Sequence, residues 1–326
     1  MKTARSKVFA RNAASLMGLM MATCVCAQGY PIKPIRLVVP FGPGGGTDLI
    51  ARTLSPRLTE ALSQSVVVDN RAGAGGVIGA DLVAKALPDG YTLMMGTPGP
   101  LTINPALLAK LPYALTDFAP ITLTTLSPFM LVVHPAVNAK TVKELIALAQ
   151  AKPNALNFGS AGNGSVAHLA GEQFKALAGV QITHVPYKGG GQSLIDLLGG
   201  QLQLVIDNLP TVLPQVRLGK LRGLAVGTRK RSALVPEYPT MMEAGVAGYE
   251  ATTASGVLAP AGTPRAIVAR LNRELDAIVR NAEVKERFFA QGLEVVGGTP
   301  EQYAQHLRDE LQLNTRIIKA AGIRAD

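Results

Sequence analysis

A short apolar run, a glycine-rich turn and an amphipathic helix recur in that order along the chain. No other feature restricts the fold as strongly. The first instance is Ile35–Val39, then Pro40-Phe41-Gly42-Pro43-Gly44-Gly45-Gly46-Thr47-Asp48, then a helix over Asp48–Leu62. Leu49, Ile50, Leu54, Leu58 and Leu62 fall on one helical face, and Thr47 reads as its N-cap. A second strand over Ser65–Val68 ends at Asp69-Asn70 and leads into Arg71-Ala72-Gly73-Ala74-Gly75-Gly76 and a helix over Gly79–Ala86. A third instance is Leu156–Phe158, Gly159-Ser160-Ala161-Gly162-Asn163-Gly164-Ser165, then Val166–Leu177. Such repetition calls for parallel strands with helices on their faces. It also leaves unpaired amides at helix starts, at the positive end of the macrodipole, where glycine lets a ligand approach the backbone. The first turn can be read as an anion site for a carboxylate or as a tight turn that binds nothing.

The remaining segments group these units into two lobes. Thr92–Met95 reads as a strand closed by Gly96-Thr97-Pro98-Gly99-Pro100. Phe118–Val133 is apolar but interrupted at Ser127-Pro128, and reads as two strands with a break at a crossover. A second α/β series follows, with strands over Gln181–Val185, Leu202–Ile206 and Leu221–Val226 and a helical turn over Val212–Leu218. Tyr249–Val257 reads as the return crossover. Three closing helices begin at Thr263-Pro264, at Ala282 and at Thr299-Pro300-Glu301, and are expected on the first lobe's sheet. The expected architecture is therefore α/β with two lobes, the first discontinuous, and a ligand cleft between them.

The chain of 326 residues is 48% hydrophobic and 17% charged, ordinary values for a globular protein. Its start is different. Lys2, Arg5, Lys7 and Arg11 precede an apolar run over Ala13–Val25, and Val25-Cys26-Ala27 offers a small-residue cleavage site, so residues 1–27 read as a secretory signal peptide. Met21-Ala22-Thr23-Cys24 loosely matches a lipidation signal at Cys24, the alternative to cleavage after Ala27. Both cysteines lie in this segment. The rest of the chain therefore has no disulfide, thiol nucleophile or cysteine metal ligand. The net charge of +10 falls when the four signal cations are removed but stays positive, which favours anionic solutes. The cations are scattered, and a nucleic-acid partner is not expected.

The glycine turns fail the nucleotide tests. Thr47 stands where a dinucleotide fingerprint needs its third glycine, and Ser165 occupies the lysine position of a P-loop. The four histidines, His134, His168, His184 and His306, lack metal-site spacing. His134 and His184 read as structural and His306 as a surface residue. A secreted hydrolase with Ser165 as nucleophile and His168 as base is the alternative from another class, though residues three apart on one helix align poorly for it. A carboxylate held by Ser160, Ser165 and the amides of 162–166, with His168 nearby, is more economical.

Together these stretches resemble the Bug proteins, solute receptors of tripartite tricarboxylate transporters. The resemblance rests on 40–48, on 69–76, on Asp89-Gly90-Tyr91-Thr92, on Gly159–Gly162 with Ser165 and His168-Leu169, on His184-Val185-Pro186-Tyr187-Lys188-Gly189, and on Gly219-Lys220-Leu221-Arg222. It implies a two-lobed periplasmic binding protein fold of type II character. Lobe 1 spans residues 28–127 plus 250–326, and lobe 2 spans residues 128–249. It implies a non-enzymatic periplasmic receptor that delivers a small carboxylate to the large and small membrane subunits of a transporter, acting as a monomer without cofactor or metal. Carried over residue by residue, the ligand contacts are Phe41, Gly42, Gly46, Thr47, Asp48 and Ala74 in lobe 1, and Ser160, Gly162, Ser165, His168 and Asp207 in lobe 2. Asp48 and Asp207 keep two readings each, a structural acid at a loop or helix start or a group that meets ligand or bridging water. A sensor that signals through a membrane kinase fits the same sequence.

Overall fold

The computed structural model describes residues 29–320 and residue 323. The expected signal segment, with its alternatives at Ala27 and Cys24, lies outside the described residues.

The chain opens with strand β1 (Ile35–Val39), helix α1 (Gly46–Leu62), β2 (Val66–Asn70), α2 (Val77–Ala84) and β3 (Thr92–Gly96). β1 lies between β2 and β3, parallel to both. A short α3 (Asn104–Leu107) leads to β4 (Phe118–Val133). The second series is α4 (Val142–Ala151), β5 (Asn157–Ser160), α5 (Val166–Ala178), β6 (Thr183–Pro186), α6 (Gly190–Leu198), β7 (Leu204–Asn208), α7 (Leu209–Arg217) and β8 (Arg222–Val226). β9 (Thr252–Pro260) returns, followed by α8 (Arg265–Arg280), α9 (Ala282–Ala290), β10 (Glu294–Val295) and α10 (Pro300–Ala320).

The strands run in the order β2-β1-β3-β9-β4-β7-β5-β6, with β8 and β10 also paired to β4. β4 is the shared element. Its first part pairs antiparallel with β9 as far as Pro128 opposite Thr252, and from Phe129 onward it pairs with β7, then β8. The break expected at Ser127-Pro128 is thus absent, and one strand crosses between lobes. Proline has no N–H to give a ladder, and here it sits where the strand changes partners.

Alternate residues of the strands bury against opposite helical layers, as a sheet covered on both faces requires. In lobe 1, Leu37 and Val39 join Ile50, Leu54 and Leu58 of α1 and Leu271 and Leu275 of α8. Val38 and Met94 pack with Leu258, Tyr303 and Leu307 on the other side. In lobe 2, Leu131 and Val133 face Phe158, Phe174 and Leu204, while Met130 and Val132 face Val205 and Leu213. A small cluster of Ile103, Leu169 and Ile318 bridges the lobes, because the last turns of α10 reach α5.

Several helix starts differ from expectation, among them α2, which begins at Val77 and not at Gly79. α1 begins at Gly46 with Gly45 as its N-cap, so Thr47 lies inside the first turn. α7 begins at Leu209, capped by the Asn208 side chain, which accepts from the Thr211 amide. α8 begins after Pro264, and the Thr263 hydroxyl donates to the Pro260 carbonyl at 2.8 Å instead of capping it.

Candidate functional site

Four helix starts meet where the lobes face each other: Gly45-Gly46 of α1, Ser165-Val166 of α5, Gly190 of α6 and Asn208 of α7. They enclose about 450 Å³ of space, its open mouth included. Phe41, Thr47, Asp48, Thr97, Thr253 and Phe129 complete much of the wall, with Ala161, Ala167, Asp207 and Thr211 opposite. Among the described residues of this lining there is no lysine or arginine. What favours an anion on this wall is its helix-start amides and their dipoles.

Of the eleven residues expected to meet a ligand, Phe41, Gly46, Thr47, Asp48, Ser165 and Asp207 line this cavity. Gly42, Ala74, Ser160, Gly162 and His168 do not. Gly42 instead donates from its amide to the Lys188 carbonyl at 2.9 Å, a contact between lobes. Ala74 is exposed and adopts φ 47° in its turn. Ser160 is fully buried, with Oγ 2.7 Å from His184 Nε2 and accepting from the Gly162 amide at 3.0 Å. His168 Nδ1 accepts from the Gly164 amide at 3.2 Å, and its ring stacks on His184 at 4.4 Å, which in turn stacks on Phe158 at 4.8 Å. These residues shape the 159–165 turn from behind. His306, expected at the surface, is half-buried and 3.7 Å from Glu310.

Ser165 is the N-cap of α5, its Oγ accepting from the His168 amide at 3.2 Å. That is capping geometry. The two carboxylates on the wall differ in their commitments. Asp48 Oδ2 accepts from the Gly44 amide at 3.0 Å and from Arg52 Nε at 2.9 Å, while Oδ1 accepts from Asn70 at 3.0 Å. Burial opposes its ionisation, yet these bonds and the Arg52 charge hold its carboxyl below the usual carboxylate range. Asp207 Oδ1 accepts from the Asn208 amide at 2.7 Å, but its buried Oδ2 has no hydrogen-bond partner. Burial pushes the Asp207 carboxyl up to about 7, with the Asn208 bond pulling the other way.

Thr97, Phe129, Asn208, Thr211 and Thr253 also line the cavity and were not among the expected contacts. A signal existed for two of them. Asn208-Leu209-Pro210 is an N-cap followed by proline in the first turn, which puts Asn208 and Thr211 at a helix start. The others enter only through tertiary packing. Among the described residues no group of side chains could hold a metal ion, and no helix is long and apolar enough to cross a membrane.

Residues 50–323 match the tripartite tricarboxylate transporter family receptor. The chain is 39% identical to protein BugT of Bordetella pertussis over 315 residues, covering 94% of this chain and 97% of that protein. Among solved structures, Rpa4515 of R. palustris with adipate superposes with a TM-score of 0.88 at 40% identity, covering 90% of this chain and 99% of that one. MatC from Rhodopseudomonas palustris with bound malate gives 0.85 at 32% identity, covering 89% and 100%.

Proposed function

The chain belongs to the tripartite tricarboxylate transporter receptor family, and on that premise we propose that it is a periplasmic receptor that closes its lobes over a small carboxylate. It is a solute receptor and not an enzyme, as its family and its structural neighbours are, so the Ser165/His168 hydrolase reading is set aside. The observation that carries the choice of ligand is the cavity wall. Four helix N-termini converge on it without a cation, which suits a carboxylate bound by amides and hydroxyls. The proteins with adipate and with malate are the nearest chemical guide.

In this reading Phe41, Gly46, Thr47, Ser165 and Asp207 meet the solute, with Asn208 and Thr211 added. Gly42, Ala74, Ser160, Gly162 and His168 act on the jaws. Lobe 1 comprises 28–127 plus 250–326 and lobe 2 comprises 128–249, a division supported by the exchange of β4 partners after Pro128. The receptor is exported by residues 1–27 and, as a monomer, presents its solute to the large and small membrane subunits. Calorimetric titration with adipate, malate, citrate, aspartate and nicotinate tests the ligand class. Micromolar or tighter binding of at least one is expected, and heatless titrations with all of them would overturn the carboxylate reading.

A further inference from the structure

Asp207 is the one acid on the cavity wall with an oxygen still to satisfy. It is only 5% exposed, its Oδ1 is used by the Asn208 amide, and its Oδ2 is buried without a partner. Room for that oxygen depends on Gly190 at the start of α6, where any Cβ would overlap Oδ2. A buried carboxyl oxygen left unpaired is costly, so a partner from the solute is called for.

We propose that Asp207 meets the solute as an un-ionised acid, its Oδ2–H donating to a solute carboxylate, so that loading the cleft takes up one proton wherever Asp207 is ionised in the empty cleft. This rests on the carboxylate reading above. Two carboxylates in direct contact in a desolvated site repel unless one of them holds a proton. Among the described residues of the lining there is no lysine or arginine to relieve the repulsion. Met130 is the register partner on β4, Gly190 and Ser193 come from α6, and Asn208 and Thr211 come from α7. From α1 the only charged residue on the wall is Asp48, which already holds Arg52. His168 and His184 stack behind the 159–165 turn. Burial already lifts the Asp207 carboxyl to about 7.

The test measures adipate affinity by calorimetry from about pH 6.5 to about pH 9, in two buffers of different ionisation heat. Wild-type affinity should be level up to about pH 7, then fall by up to about tenfold per pH unit, with close to one proton taken up per site. Asp207→Asn keeps a donor of the same shape and should bind with no such slope. Wild-type affinity that is level or rises with pH would overturn the proposal. Infrared spectra of the protein without solute separate this idea from the ligand class. A protonated-carboxyl band present near pH 6, lost by about pH 9 and missing in Asp207→Asn is expected even if adipate does not bind. Its absence from the wild type at the lower pH would sink the proposal by itself.

Discussion

The Gly46 amide donates a 3.0 Å hydrogen bond to Thr211 Oγ1, from the first residue of α1 in one lobe to the first turn of α7 in the other. Thr211 Oγ1 in turn donates to the α7 cap, Asn208 Oδ1, at 2.7 Å. Two helix starts are thereby joined through one hydroxyl. Nearby, the jaws touch backbone to backbone. Gly42 bonds Lys188, Gly191 faces Pro43 and Gly44, and Gly75 faces Asn163. The glycine motifs are bearing surfaces between the lobes as well as walls of the cavity.

Gly46→Ala should separate closure from folding. Alanine suits the helix better than glycine by about 1 kcal/mol, but its Cβ would overlap the Asn208 side chain. Asn208 is held as a cap, and displacing it costs about 1 kcal/mol. Circular dichroism and thermal midpoint should stay near wild type while solute affinity falls about tenfold. Gly46→Ala combined with Asn208→Ala should recover part of the loss. A lone Gly46→Ala variant with normal affinity would contradict this account.

Thr211→Val keeps shape and removes the acceptor. In the closed form the Gly46 N–H is then buried and unsatisfied, at a cost of about 1–3 kcal/mol, whereas in an open form water can serve it. Titration should show at least about tenfold weaker binding, with little change in denaturant midpoint.

Asp48→Asn should destabilise lobe 1 by about 1–3 kcal/mol at neutral pH, because one carboxylate serves Gly44, Arg52 and Asn70 together. Arg52 is half-exposed, so its charge adds little beyond the hydrogen bond. The depressed Asp48 carboxyl gives stability that is present above its unfolded value and lost as pH falls through its folded one. The wild-type advantage over Asp48→Asn in urea melts should therefore shrink below about pH 4.

Asp207 has the opposite sign. Its folded carboxyl is raised to about 7, so the protonated form stabilises the fold at low pH, and that contribution is lost as pH rises through about 7. Asp207→Asn should thus gain stability relative to wild type between about pH 5 and pH 8, by a few kcal/mol at the upper end. Urea midpoints across that range give the answer, and a difference that does not vary with pH would count against the raised carboxyl.

Leu169→Ala should weaken both stability and binding. Leu169 of α5 packs with Ile103 and Ile318 across the lobe boundary. Truncation there costs about 2–3 kcal/mol, partly at the interface itself. Ile50→Ala, inside the lobe 1 core, should lower the denaturant midpoint but leave affinity unchanged.

Much of this molecule is legible in its residues. The apolar spacing of Ile50, Leu54 and Leu58 marks a helix with one buried face, and the glycine turns mark where helices start. Boundaries were less visible. Thr47 has the chemistry of a cap, yet Gly45 takes the position because Asp48 reaches back to the Gly44 amide. Ser127-Pro128 looks like a break because proline lacks a donor, and only the change of strand partner there shows why none was needed. Ser160 and His168 look like ligand groups because one lies in the third glycine turn and the other in the first turn of the helix it opens. Their atoms are taken by His184, Gly162 and Gly164, which local sequence cannot reveal.

The sequence by itself determined an α/β chain with anion-friendly helix starts and two lobes, because apolar periodicity and glycine turns act over a few residues. Only the tertiary structure decided which helix starts share one cavity and which glycines bear on the opposite jaw. It also decided which of two acids keeps a buried oxygen without a hydrogen-bond partner. Asp48 and Asp207 are alike as residues. The difference between them is the presence of Arg52, Asn70 and the Gly44 amide around one, and desolvation without a cation around the other.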